Sequence, residues 1–130
     1  MNNLFNTPFE TGLRILLALY SMYPQAATLD RLTAYDFIAV YGKDFGVTEN
    51  NLNGINSFNF SELSTRRSIC SKGIKEFALD GLIDVQQSKT GFKYKISKAG
   101  KVYVEALNSD YAKQYITSVS TVNQIYGNKS

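Results

Sequence analysis

The stretch Phe92-Lys93-Tyr94-Lys95-Ile96 alternates a bulky apolar residue with lysine at every step. A period of two sends alternate side chains to opposite faces of an extended backbone, so this segment reads as a half-buried strand with its apolar face inward. Its backbone N–H and C=O groups need a ladder partner. The preceding Ser88-Lys89-Thr90-Gly91 has turn composition, and Leu82–Gln86 before it supplies the partner strand. A lone hairpin buries too little surface to stand by itself, so helices must cover it.

The rest of the chain is patterned for that. Thr7-Pro8-Phe9-Glu10 starts a helix: the Thr hydroxyl caps, Pro at the first position loses no needed donor, and Glu three residues after the cap completes a capping box. This helix is expected to run to about Tyr23, with Leu13, Leu16, Leu17 and Tyr20 as its core stripe. A second helix is expected from Thr28 to about Tyr41, with Leu32, Tyr35 or Asp36, and Ala39 inward. Residues 42–60 are rich in Gly and Asn and read as an irregular loop. A third helix begins near Asn59 or Ser61 and ends at Gly81, which suits a left-handed backbone position. Leu63, Arg66, Cys70, Gly73 or Ile74, and Phe77 mark its inner face, and Arg67, Ser71, Lys72 and Lys75 its outer one. Gly73 in mid-helix costs about 1 kcal/mol against Ala, which points to close approach by another helix. After the hairpin, Ser97 caps a helix over Lys98–Leu107. A last helix over Tyr111–Tyr126 carries Tyr111, Tyr115, Val119, Val122 and Tyr126 on one face; its Ser, Thr and Val content makes it a weak helix that holds its shape only when docked, on its own domain or on a partner.

Three helices followed by a hairpin is the order of a winged helix-turn-helix. The expected fold is mainly α with a small β-hairpin: one winged-helix domain over residues 1–126, with an extra C-terminal helix at 110–126 and a frayed tail at 127–130. A chain of 130 residues can bury the core this requires.

Charge is unevenly placed. Residues 1–60 carry three basic and five acidic side chains, whereas residues 61–100 carry eight basic and four acidic ones. A segment that concentrates positive field suits an anionic partner, although a solvated face reads equally well. In a winged helix the third helix can enter the major groove while the hairpin touches flanking backbone. Arg67, Lys72 and Lys75 on that helix, with Lys89, Lys93 and Lys95 on the hairpin, are therefore the candidate residues for DNA or an acidic partner. They suit phosphates better than base edges, because only Arg66 and Arg67 on the third helix match a base, and one of them points inward.

Catalysis is not expected. The chain has no His and a single Cys, Cys70, which falls on an apolar stripe as core filler. No Gly-rich phosphate loop, no metal-ligand spacing and no nucleophile beside a base is present, so no metal or cofactor is expected. The N-terminus lacks the basic start of a signal peptide, and the apolar run Leu13–Tyr23 is too short to span a bilayer. A cytoplasmic location is expected.

Several segments together carry a resemblance: Asn6-Thr7-Pro8-Phe9-Glu10-Thr11-Gly12-Leu13-Arg14, Leu29-Asp30-Arg31-Leu32-Thr33-Ala34-Tyr35-Asp36-Phe37, Arg66-Arg67, Gly73-Ile74-Lys75, Gly81-Leu82-Ile83, Tyr94 and Ser97-Lys98-Ala99-Gly100. In this order they resemble the small middle component of bacterial ABC-three-component systems, most of all the middle subunit of Lamassu-type anti-phage defence. The resemblance covers about residues 5–119. It departs at residues 42–60, where the family tends to be Pro-rich and this chain has Asn and Gly.

The resemblance implies a non-catalytic adaptor. It would sit between an SMC-like coiled-coil ATPase and an effector, commonly a nuclease; non-specific DNA is a further candidate partner, on the strength of the basic segment alone. Glu10, Arg14, Asp30, Tyr35, Asp36 and Arg66 fall on its motifs, and plain fold stabilisation accounts for them. Glu10 and Arg14 are spaced to pair, and Tyr35-Asp36 to meet Arg66 or Arg67 and lock the second helix to the third. The candidate partner interface is Phe45, Leu52, Ile55, Phe58 and Phe60 in and beside the loop, and Tyr115, Val119 and Val122 on the last helix. The alternative is a DNA-binding winged-helix transcriptional regulator.

Overall fold

Helix α1 (Pro8–Ser21) starts where Thr7 Oγ1 accepts a hydrogen bond from the Glu10 amide at 3.2 Å. It stops at Ser21, two residues before the expected end, with Met22 closing its last turn. The computed structural model describes residues 7–42 and 60–127. After α1 come α2 (Leu29–Phe37), a π-helical turn (Ile38–Gly42), α3 (Phe60–Leu79), β1 (Ile83–Ser88), β2 (Gly91–Ile96), α4 (Lys98–Ala106) and α5 (Asp110–Tyr126). The described residues are thus mainly helical, with one two-stranded antiparallel hairpin. Thr28, Ser97 and Ser109 cap α2, α4 and α5 as Thr7 caps α1, each hydroxyl accepting from the amide three residues on.

Helix α1 is the centre of the molecule. Ile15, Leu16, Leu17, Ala18 and Leu19 are all fully buried, a wider face than the expected stripe; Leu13 and Tyr20 of that stripe are only partly covered. A helix apolar on nearly every side must be surrounded, and α2, α3, α4, α5 and β2 all pack against α1.

The closest of these contacts is with α3. A Cβ built on Gly73 would lie 2.5 Å from the Pro8 carbonyl oxygen and 2.8 Å from Gly12 Cα, and one on Gly12 would lie 2.7 Å from the Phe77 ring. Two glycines face each other where the helices cross, which is the close approach that Gly73 signalled. Helix α3 ends at Leu79, and Gly81 just beyond it has a φ of +79° that suits a residue without a Cβ.

The hairpin pairs Ile83 with Ile96, Val85 with Tyr94 and Gln87 with Phe92 on one face. Ile83 and Ile96 at its base are buried, but Val85 and Phe92 are about half exposed. The expectation of an inward apolar face therefore holds from the base to Tyr94, which is partly buried against the core, and fails at Val85 and Phe92. Alternation specifies which face is apolar but not how far the helical layer reaches along the strand. On its free edge β2 gains a partner in the segment between α1 and α2, where Ala27 and Tyr94 exchange backbone hydrogen bonds of 2.9 and 2.8 Å.

Helix α5 docks on its own domain. Tyr115, Val119 and Val122 are buried in the common core, which corrects their assignment to a partner interface. An apolar stripe at helical spacing looks the same whether it faces its own core or another chain, and here the core takes it.

Candidate functional site

A polar junction lies inside this core. Asp36, on the inner face of α2, is fully buried, and so are Arg14 from α1 and Tyr115 from α5. Arg14 Nε donates to Asp36 Oδ1 at 2.8 Å and Nη2 to Oδ2 at 3.1 Å, a two-pronged pairing that fits guanidinium to carboxylate. Tyr115 donates its hydroxyl to Oδ1 at 2.6 Å, and Arg66 Nη2 from α3 approaches Oδ2 at 3.5 Å. Arg66 also lies over the Phe37 ring, 5.7 Å from its centroid. One carboxylate on α2 thereby gathers groups from three other helices.

Environment reshapes these groups. Burial works against the charge on Arg14, but hydrogen bonding to Asp36 and its negative charge outweigh that and hold the guanidinium above its ordinary range. Burial, reinforced by the Asp36 charge and hydrogen bond, raises the Tyr115 phenol well above the usual tyrosine range. Burial and the same carboxylate push the Cys70 thiol up to about 11. A thiol held protonated in an apolar stripe is a poor nucleophile.

The expected lock between α2 and α3 is present as Asp36 with Arg66. Arg14 was not foreseen in it; what orients Arg14 is a residue 22 positions away and not only its own helix. Tyr35 adds a smaller tie, donating its hydroxyl to Asn123 of α5 at 3.2 Å. Thr7 and Glu10 remain at the start of α1.

A second arrangement lies on the outside. Arg67, Lys72 and Lys75 are exposed on α3, as expected. With Ser64, Ser68 and Ser71 they line a shallow groove of about 380 Å³. Ser71 stands where the helical face predicts; Ser64 and Ser68 are additions, although the spacing 64, 67/68, 71/72, 75 is a single helical stripe. Arg67 Nε donates to Asp30 Oδ1 of α2 at 2.6 Å, with both side chains largely in solvent.

Lys93 lies elsewhere, in a hollow of about 520 Å³ between the hairpin and the start of α2. Arg31, Gln25 and Gln86 line it too, and Arg31 was another residue the sequence reading passed over. Lys89 at the hairpin tip is exposed, and Lys95 is half-buried opposite Asp84. The six expected cations thus divide into the α3 groove, this hollow and the rest of the hairpin. Phe45, Leu52, Ile55 and Phe58 lie outside the described residues; Phe60 opens α3, but its side chain is also outside them.

Among the described residues no cluster of His, Cys, Asp and Glu suited to a metal ion occurs, and no helix is long and apolar enough to cross a membrane. The fold and its two polar arrangements define a small helical protein whose buried charges knit helices together and whose α3 groove is lined by cations and hydroxyls. Residues 4–130 match the family described as ABC-three component (ABC-3C) system Middle Component 2, and the chain belongs to that family. Being one component of a multi-component system implies protein partners. Neither a curated protein nor a solved structure matches the chain.

Proposed function

We propose that this protein is a cytoplasmic, non-catalytic winged-helix adaptor of an anti-phage defence complex of Lamassu type, bridging an SMC-like ATPase and an effector nuclease. The family match over residues 4–130 carries this reading. The order α1, α2, α3, β1, β2 supports the winged-helix part, as does the Ala27–Tyr94 bridge, which adds a short extended segment between α1 and α2 beside the wing. Half-exposed Val85 and Phe92 on the hairpin, with exposed Leu79 and Val102, supply apolar surface for protein contact. Residues 42–60 add Phe45, Leu52, Ile55 and Phe58 as further contact candidates.

Co-expression with the proteins encoded by neighbouring reading frames tests the adaptor. Co-elution in one complex is the expected result. A chain that stays monomeric and partnerless under those conditions overturns the reading.

A sequence-specific transcriptional regulator is the second reading, favoured by the exposed Arg67, Lys72 and Lys75 on α3. It requires a homodimer and tight, selective binding to a short palindrome.

A further inference from the structure

We infer that the outer face of α3 and the adjoining hollow form one binding track for the sugar-phosphate backbone of duplex DNA, with Asp30 as an internal competitor that holds Arg67 until a phosphate displaces it. The inference deepens the winged-helix reading and rests on it.

Residues 64, 67, 68, 71, 72 and 75 recur at three and four, so they form one straight stripe, roughly 17 Å long at 1.5 Å rise per residue. That length spans several phosphates of one strand, whose charges recur every ~3.4 Å of duplex axis. Three of the six side chains are cations, three are hydroxyls, and no carboxylate lines the groove. Phosphate oxygens accept from both kinds of donor, and short serines let a backbone approach the helix between the longer cations. Around the first turn of α2, the hollow adds Arg31, Lys93, the Thr28 hydroxyl and the amides of Gln25 and Gln86 on a partly apolar floor, again without a carboxylate. Neutral donors interleaved with cations fit phosphodiesters better than an acidic protein surface, for which cations alone suffice.

Asp30 stands between the two. It is next in sequence to Arg31 in the hollow, and its Oδ1 accepts from Arg67 Nε in the groove at 2.6 Å. Both side chains of this pair are more than half exposed, at 55% for Arg67 and 78% for Asp30. Exposed pairs contribute little, so a phosphate arriving beside Lys72 and Lys75 can take over Arg67 at small cost. Asp30 therefore lowers affinity in two ways, by occupying a cation and by repelling the ligand.

The test uses the full chain and a fluorescein-labelled 20-base-pair duplex of scrambled sequence, followed by anisotropy from about 20 to 200 mM salt. Sequence-independent binding is expected, with a log–log salt slope of roughly −3 to −5 for three to five neutralised phosphates. Lys72→Ala and Lys75→Ala should each weaken binding and flatten the slope by about 1. Asp30→Asn should strengthen binding about threefold or more.

Asp110→Asn changes net charge equally at the far end of α5, whose other end reaches Arg31 through the Gly127 carbonyl, and should not reproduce that gain. These side chains are exposed, and a matching thermal melt for each variant confirms an intact fold. No duplex binding at 20 mM salt, capture of polyglutamate but not duplex, unchanged slopes in both lysine variants, or no gain in Asp30→Asn beyond Asp110→Asn would each overturn the inference. Partner co-elution is read separately, so loss of the track leaves the adaptor standing, and loss of the adaptor leaves the track standing.

Discussion

Two aspartates six residues apart on α2 each meet an arginine of α3, and they do opposite work. Asp36 faces inward and binds Arg66 together with Arg14 and Tyr115, all of them buried. Asp30 faces outward and binds Arg67 in solvent. At 100° per residue, six positions carry a side chain to a different face of the helix. The shorter contact is the exposed one, 2.6 Å against 3.5 Å, yet distance does not rank them. Removing one partner of a buried set strands charge in a medium that cannot solvate it, whereas removing one partner of an exposed pair lets water take its place.

The sharpest way to break the comparison is Asp36→Ala. It leaves Arg14 and Arg66 facing each other in the core, and a loss of about 3–5 kcal/mol is expected in urea unfolding. A loss below 1 kcal/mol would place Asp36 in the same class as Asp30. Gly73→Ala tests whether the junction depends on the α1–α3 distance, since the new methyl must push the Pro8 carbonyl and Gly12 away. Overpacking of this kind should cost about 1–3 kcal/mol in the same assay. Tyr115→Phe removes one donor to Asp36 and keeps the ring, for an expected loss of about 1–2 kcal/mol. Asp30→Asn closes the series, with thermal stability expected within about 0.5 kcal/mol of the parent.

Alkaline titration sharpens the same contrast without mutation. Tyr115 and Cys70 keep their protons in the folded chain at pH values where the unfolded chain releases them, because burial and Asp36 raise both groups. The folded state then binds more protons than the unfolded one, and stability must fall as pH rises. The fall should begin near pH 9, where an ordinary thiol ionises, and steepen above 10 as unfolded tyrosine joins it. Cys70→Ala should flatten the part between pH 9 and about 11. A stability curve flat from pH 8 to 11 would contradict the buried placement of both groups.

Much of the fold was legible because it rests on local rules. Thr7, Thr28 and Ser97 announced helix starts, Gly81 a helix end, Ser88–Gly91 a turn, and Phe92–Ile96 a strand, and each depends on a few neighbouring residues. Gly73 signalled a close helix contact by being costly where it stands. The candidate site was legible only in part. The face of the helix marks Arg67, Ser71, Lys72 and Lys75 as outward, but nothing local marks Ser64 and Ser68 as part of the same groove. Tyr115, Val119 and Val122 fit their own core or a partner equally well by spacing, because a stripe names a buried face and not its cover.

What the chain's own order of residues determined was where helices and strands begin, which faces are apolar, and that one segment carries most of the positive charge. Only the tertiary structure decided that Arg14 turns to Asp36, that α5 closes the core, that the hairpin's apolar face is left open towards its tip, and that Asp30 holds Arg67. Propensity, capping and periodicity act over a few residues, so sequence neighbours carry them. Pairing of charges and covering of surfaces depend on which distant elements arrive side by side, and that is settled only when the whole chain packs.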